Sequence, residues 1–328
     1  MYTGSRRASL ALGTLTTLGM LLSVPAVSWG DTVDSAEVVV GEEEVEEIVE
    51  KPCDPCDDAP NQGNVSLSAG IDFPTAYFFR GILQERDGFI MWPWANIGIK
   101  VFENDTGQSV TLKAGIWNSF QSNKTLESGS GPSNWYEADI IGGVGVGLTE
   151  YLTLDLSYIA YASPNGAFNT VQEFDAGLSL NDSEWLGAFA IKPSMIWAFE
   201  LENAAFGGTQ EFGPNEGIYL QLGANPGYTF AAESEYPVTL SVPLQLGLSV
   251  SDYYEIVDED GATIEDQTFG FFDFGVALSV PLSFIDSKYG SWAVTGAFHG
   301  ISLSKTLADA NRGDGFFPWG VLGVSMTY

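Results

Sequence analysis

The chain of 328 residues contains one histidine, His299, and two cysteines, Cys53 and Cys56. A histidine beside a carboxylate is the usual equipment of general acid–base catalysis. Strand alternation puts Asp273 on the same face as His299. A serine hydrolase would also need an activated hydroxyl, and no GxSxG turn occurs. P-loop and dinucleotide fingerprints are missing too, because VGVG at 144–147 lies inside an alternating run. The pair therefore reads first as a histidine hydrogen-bonded inside a folded wall, with a catalytic dyad as the lesser alternative. One His and two Cys offer little for zinc or haem, so no enzyme, metal or cofactor is expected. Cys53 and Cys56 form CDPC, a disulfide candidate in an exported chain.

Carboxylates are the abundant reactive groups. Asp+Glu number 43 against 12 Lys+Arg, a net charge of −31, which repels nucleic acid. Alternation assigns Glu137, Asp139, Asp155, Glu173, Asp175 and Asp273 to one face, with Lys100, Lys113, Lys192 and His299. A pore wall with excess carboxylate draws cations and turns anions away. In a narrow lumen the same charges would instead pair with one another. A second acidic group, from Asp252 to Asp266, lacks EF-hand spacing. Divalent cations bridging it to lipopolysaccharide phosphates are one use; a solvated loop is the simpler reading.

The elements that carry these residues are strands. From Val65 onward the period is two. Val238, Leu240, Val242, Leu244, Leu246, Leu248 and Val250 alternate with Thr239, Ser241, Pro243, Gln245, Gly247 and Ser249. About twelve such segments occur, most of them reaching the ~9–11 residues a tilted transmembrane strand needs. Long connections (74–90, 120–134, 162–169, 201–216, 251–268, 304–316) alternate with mostly shorter ones, the disposition of an outer-membrane barrel. The expected fold is all-β: a transmembrane antiparallel up-and-down β-barrel of about twelve strands (ten to fourteen). Lipid cannot satisfy a strand edge, so the sheet must close. Pro193, Pro226, Pro243 and Pro281 should mark bulges or strand ends. Phe73, Trp92, Trp94, Trp135, Tyr151, Trp197, Phe199, Trp292, Phe317, Trp319 and Tyr328 sit toward segment ends and are expected to form interfacial girdles.

Before the strands, Arg6 and Arg7 precede an apolar stretch from Leu10 to Val24, and a cleavage point follows Gly30. Residues 1–30 read as a secretory signal peptide. Residues 31–62 read as a flexible periplasmic arm, whose first thirty residues carry twelve acids against Lys51. Residues 63–328 form the barrel.

The segment VLGVSMTY places Leu322, Val324, Met326 and Tyr328 on one face. It resembles the C-terminal insertion signal of bacterial outer-membrane proteins, whose commonest last residue is Phe. AYFFRGILQ at 76–84 resembles the opening motif of the TorF-like porin type; Arg80, Gly81 and Gln84 match, and Leu83 replaces the usual Ser. The resemblance implies a porin-like protein of the Gram-negative outer membrane, inserted by the barrel-assembly machinery among lipid and lipopolysaccharide.

The expected function is passive diffusion of small solutes with a preference for cations. The alternative is a closed-lumen structural or surface-interaction protein.

Overall fold

The computed structural model describes residues 63–123, 132–205, 215–234, 236–257 and 263–328. The expected signal peptide, the acidic arm and Cys53 and Cys56 lie outside the described residues.

Strand β1 (Val65–Pro74) leads into a short hairpin, β2 (Tyr77–Phe79) and β3 (Ile82–Glu85). Then follow β4 (Ile90–Glu103), β5 (Ser109–Gln121), β6 (Trp135–Gly147), β7 (Leu152–Ala162) and β8 (Val171–Leu180). A one-turn helix α1 (Ser183–Leu186) precedes β9 (Ser194–Glu202). The next two wall strands are each broken in two: β10 (Ile218–Ala224) with β11 (Gly227–Phe230), and β12 (Val238–Ser241) with β13 (Leu244–Ser251). The small hairpin β14 (Glu255–Val257) and β15 (Thr263–Asp266) precedes β16 (Phe269–Pro281) and β17 (Ser291–Leu303). Helix α2 (Lys305–Ala310) and β18 (Phe316–Thr327) complete the described chain.

Neighbouring wall strands pair antiparallel in the order β1-β4-β5-β6-β7-β8-β9-β10-β13-β16-β17-β18, and β18 pairs back onto β1. With the two broken strands each taken as one path, this is a closed barrel of twelve strands. The closing seam runs from Ser68↔Thr327 to Pro74↔Val321. Closure gives every wall path a partner on both sides, and only the short segment β11 pairs with a single strand, β12.

The prolines explain the breaks. Pro226 separates β10 from β11, Pro243 separates β12 from β13, Pro193 immediately precedes β9, and Pro281 ends β16. Each lacks the N–H that a ladder needs. The sequence suggests a strand over 187–200, and the observed β9 begins only at Ser194. Residues 187–193 are not in the wall: the Asp182 carboxylate accepts the Ile191 and Lys192 amides at 3.1 and 2.9 Å and folds them into a turn.

The wall has an inverted polarity. Ile97, Ile99, Leu112, Ile116, Ile140, Phe272, Phe274, Val276, Leu278, Phe298 and Leu322 face outward and are exposed. Asn96, Lys113, Asp139, Glu173, Gln245, Asp273, His299 and Ser325 face inward and are buried. A protein surrounded by water rarely shows so extended an apolar surface. Large rings crowd the short-turn end, where Trp185, Phe189, Phe284, Tyr289 and Tyr328 are exposed. Among the described residues no helix is long and apolar enough to cross a membrane.

Candidate functional site: the plugged lumen

The connection from β1 to β4 does not stand outside the barrel. It turns back into the mouth, so that Ala76, Tyr77, Phe78, Phe79 and Arg80 are all buried. Phe79 pairs with Ile82 across a two-residue turn made of Arg80 (φ +45°) and Gly81 (φ +89°). Positive φ at both central positions is the hairpin turn that matches strand twist, and Gly is suited to it. A Cβ at position 81 would also lie 2.6 Å from Leu307 Cδ1. Arginine in this backbone region is strained, a cost of about 1–3 kcal/mol that its surroundings must offset.

Those surroundings are polar clasps from four parts of the wall and loops. Arg80 Nη1 and Nη2 donate to Glu173 Oε2 and Oε1 at 2.7 and 2.5 Å, and Nη1 also donates to the Tyr253 hydroxyl at 2.7 Å. The guanidinium lies 4.3 Å from the Tyr219 ring centroid. Tyr161 gives its hydroxyl proton to Glu173 at 2.7 Å, and Tyr254 gives its own to the Arg80 carbonyl at 2.9 Å. Burial raises the Tyr253 and Tyr254 hydroxyls well above the ordinary tyrosine range, so both remain protonated. Asn311 takes the Leu83 amide at 2.8 Å and donates to the Gly81 carbonyl at 2.7 Å. Gln84 accepts the Tyr136 hydroxyl. The three motif positions, Arg80, Gly81 and Gln84, thus belong to the turn and root of one inserted hairpin.

Aromatic packing surrounds these clasps. The Tyr77 ring centroid lies 5.2 Å from Trp92, 5.7 Å from Trp117 and 6.3 Å from Tyr136. Phe78 packs on Phe317 at 5.3 Å, and Phe79 on Tyr161 at 5.6 Å. This corrects the girdle expectation for four rings. Trp92, Trp94, Phe317 and Trp319 face inward and pack inside the barrel, whereas Trp135, Trp197, Phe199 and Trp292 lie on the outward face.

The inward carboxylates lie around and below the hairpin. Glu137 accepts the Tyr77 hydroxyl at 2.6 Å. Neither oxygen of Asp139, which is 1% exposed, has a hydrogen-bond partner among the described residues. Oδ1 of Asp175 is likewise unpartnered there. Asp155 pairs with Lys113 nearer the short-turn end. Lys100 pairs with Glu103 at 3.0 Å beside the 104–108 turn. Lys192 is not on the wall at all: it occupies the turn before β9 with φ +46°, because the Asp182 carboxylate holds that segment. Buried carboxylate outnumbers buried cation on this lumen face, and Arg80 comes from the plug and not from the wall.

His299 and Asp273 do meet. Nδ1 lies 2.9 Å from Asp273 Oδ1, and Trp319 Nε1 donates to Oδ2 at 3.3 Å. The imidazole stacks on Trp319 with centroids 4.3 Å apart. Gly275, its partner across the ladder, makes room, since a Cβ there would lie 2.5 Å from the ring. Among the described residues no serine, threonine or cysteine side chain hydrogen-bonds the imidazole. The arrangement orients a histidine without supplying a nucleophile. Also among the described residues, no three His, Cys, Asp or Glu side chains converge as a metal site. In the acidic 251–268 connection, Glu255 is turned inward and accepts both hydrogen bonds from Asn215 Nδ2, at 3.2 and 2.9 Å. Leu322, Val324 and Met326 alternate outward along β18 and the exposed Tyr328 follows its end, while Gly323 and Ser325 are buried on the lumen side.

No family model matches the sequence, and no curated protein is significantly similar to it. Among solved structures, an outer-membrane channel from Pseudomonas putida F1 is similar at 10% identity and a TM-score of 0.44, covering 84% of this chain and 100% of the other. LpxR from Salmonella typhimurium is similar at 8% identity and a TM-score of 0.41, over 80% of this chain and 99% of its own. The β domain of the Bordetella autotransporter BrkA is similar at 9% identity and a TM-score of 0.39, over 80% and 98%. Likeness at this level carries no argument about what this chain does.

Proposed function

We propose that this chain is an outer-membrane channel for small solutes, preferring cations, whose bore is governed by the inserted hairpin β2–β3. The observation that carries the reading is the pairing of an apolar exterior with a lumen face rich in carboxylate. Uncompensated carboxylates in a low-dielectric wall favour a passing cation over an anion. The acidic wall, Lys113 and Asp155 included, lies on the path a solute would take. Lipid and lipopolysaccharide would cover the exterior, and the barrel-assembly machinery would insert it. The TorF-like resemblance rests on Arg80, Gly81 and Gln84, all of which belong to the hairpin.

One specific observation supports a second reading, a closed barrel serving as a structural or surface-interaction protein. The hairpin is tightly packed against Trp92, Trp117, Tyr136 and Phe317. Reconstitution in planar bilayers separates the two. Conductance steps with a reversal potential on the cation side support the channel. Silent bilayers with the native chain and with a hairpin-released variant overturn it.

A further inference from the structure

A cavity of about 290 Å³ opens beside the root of the inserted hairpin, lined by Leu83, Gln84, Glu85, Arg86, Asp87 and Asn123, with Ala310, Asn311 and Arg312 opposite. It lies between three connections that are remote in sequence: the one after β3, the one after β5 and the one after α2. We infer that this cavity is a binding site for a small neutral polyhydroxylated solute of the sugar class. The inference deepens the channel reading by placing a recognition site at the mouth, and it rests on that reading for its biological use.

The lining chemistry selects the ligand. Formal charges cancel, with Glu85 and Asp87 against Arg86 and Arg312. The charges are also already engaged: Arg86 Nη1 lies 3.2 Å from Asp314, and Arg312 Nη1 lies 3.7 Å from Asp87. Glu85 Oε1 accepts the Arg86 and Asp87 amides at 2.8 and 2.7 Å. An anion would have to displace Asp314 or Asp87 from the guanidiniums, and a cation would have to displace the guanidiniums from the acids. A hydroxyl both gives and accepts, so it can use the remaining N–H groups and lone pairs while every ion pair stays in place. The exposed Asn123 carboxamide has the same double character, while those of Gln84 and Asn311 hold the hairpin and form the cavity's fixed wall. The volume is at the small end for small-molecule sites, whose range is ~300–1,000 Å³, and suits one small sugar. The site is also built into the plug: Asn311 lines the cavity and holds the hairpin at Gly81 and Leu83.

Saturation-transfer NMR on the full chain in detergent micelles tests this with three separate probes, sucrose, glycine and sodium acetate. Transfer to sucrose protons is expected, and not to the other two. Asn123→Ala and Arg312→Ala alter exposed loop residues, and heat-modifiable gel migration checks that each variant barrel has formed. Each should weaken sucrose binding roughly fivefold per hydrogen bond lost. No transfer to sucrose, equal transfer in folded variants, or stronger transfer to glycine or acetate overturns the inference. The readout is binding without conductance, so failure here leaves the channel reading standing, and silent bilayers leave a binding result standing.

Discussion

Arg80 and Glu173 are 93 positions apart in sequence and meet fork to fork inside the barrel, with Nη1–Oε2 and Nη2–Oε1 separations of 2.7 and 2.5 Å. Glu173 is fully buried and Arg80 nearly so. Paired guanidinium and carboxylate in this geometry are strong and orientation-specific. One partner lies on the wall and the other on the hairpin tip, so the bond pins the tip to β8.

Removing one partner of such a pair strands a buried charge, at about 3–5 kcal/mol. Arg80→Ala should therefore loosen the hairpin while the wall stays closed. Proteinase K should cut within residues 76–85 in the variant and spare them in the native chain, and mean conductance should rise. The apolar double replacement Arg80→Met with Glu173→Leu should restore much of the protection. A hairpin equally protected in Arg80→Ala would show that aromatic packing alone holds it.

Asp139→Asn and Asp175→Asn keep shape and remove two ionisable groups from the lumen face. Reversal potentials across a salt gradient should move toward equal cation and anion permeability, and further in the double variant. A potential identical to that of the native chain would mean these carboxylates do not face the conducting path.

Gly275→Val should strike the His299 ring, because even a Cβ would lie 2.5 Å from it. Overpacking of this kind costs about 1–3 kcal/mol. The temperature at which the folded band is lost on heat-modifiability gels should fall. His299→Ala should lower it as well, since Asp273 then keeps only its contact with Trp319. Unchanged melting in both variants would contradict the packing described for this pair.

Asn311→Ala removes two hydrogen bonds to the hairpin backbone, each contributing about 0.5–1.5 kcal/mol. Amide exchange at Leu83 should quicken roughly tenfold, while amides at the opposite end of β17, from Trp292 to Thr295, stay unchanged. Equal exchange at Leu83 would mean the hairpin does not depend on this anchor.

Much of the wall can be read from the sequence because period two is a direct geometric signature. Val238–Val250 shows it, and so do the prolines at its break and at the ends of β9 and β16. The inserted hairpin was not legible as such, because residues 74–90 have the length and position of an ordinary outer connection. A physical signal was nonetheless present: AYFF places four consecutive apolar residues in a loop that water should surround. The rings of Trp92 and Trp319 follow the same physics. The same alternation that turns Asp139 inward turns them inward too, and nearness to a strand end says nothing about face. Lys192 leaves the wall for a local reason that alternation does not carry: the Asp182 side chain captures two amides and ends the strand pattern before Pro193.

The seam between β1 and β18 has a consequence for how the molecule is made. Leu67 and Tyr328 exchange backbone hydrogen bonds in both directions, at 2.9 and 2.7 Å. The first and the twelfth staves of the cylinder must therefore find each other across nearly the whole described polypeptide. Pairings so distant along the chain form slowly. Until β18 arrives, one border of β1 is an unprotected template for any other strand.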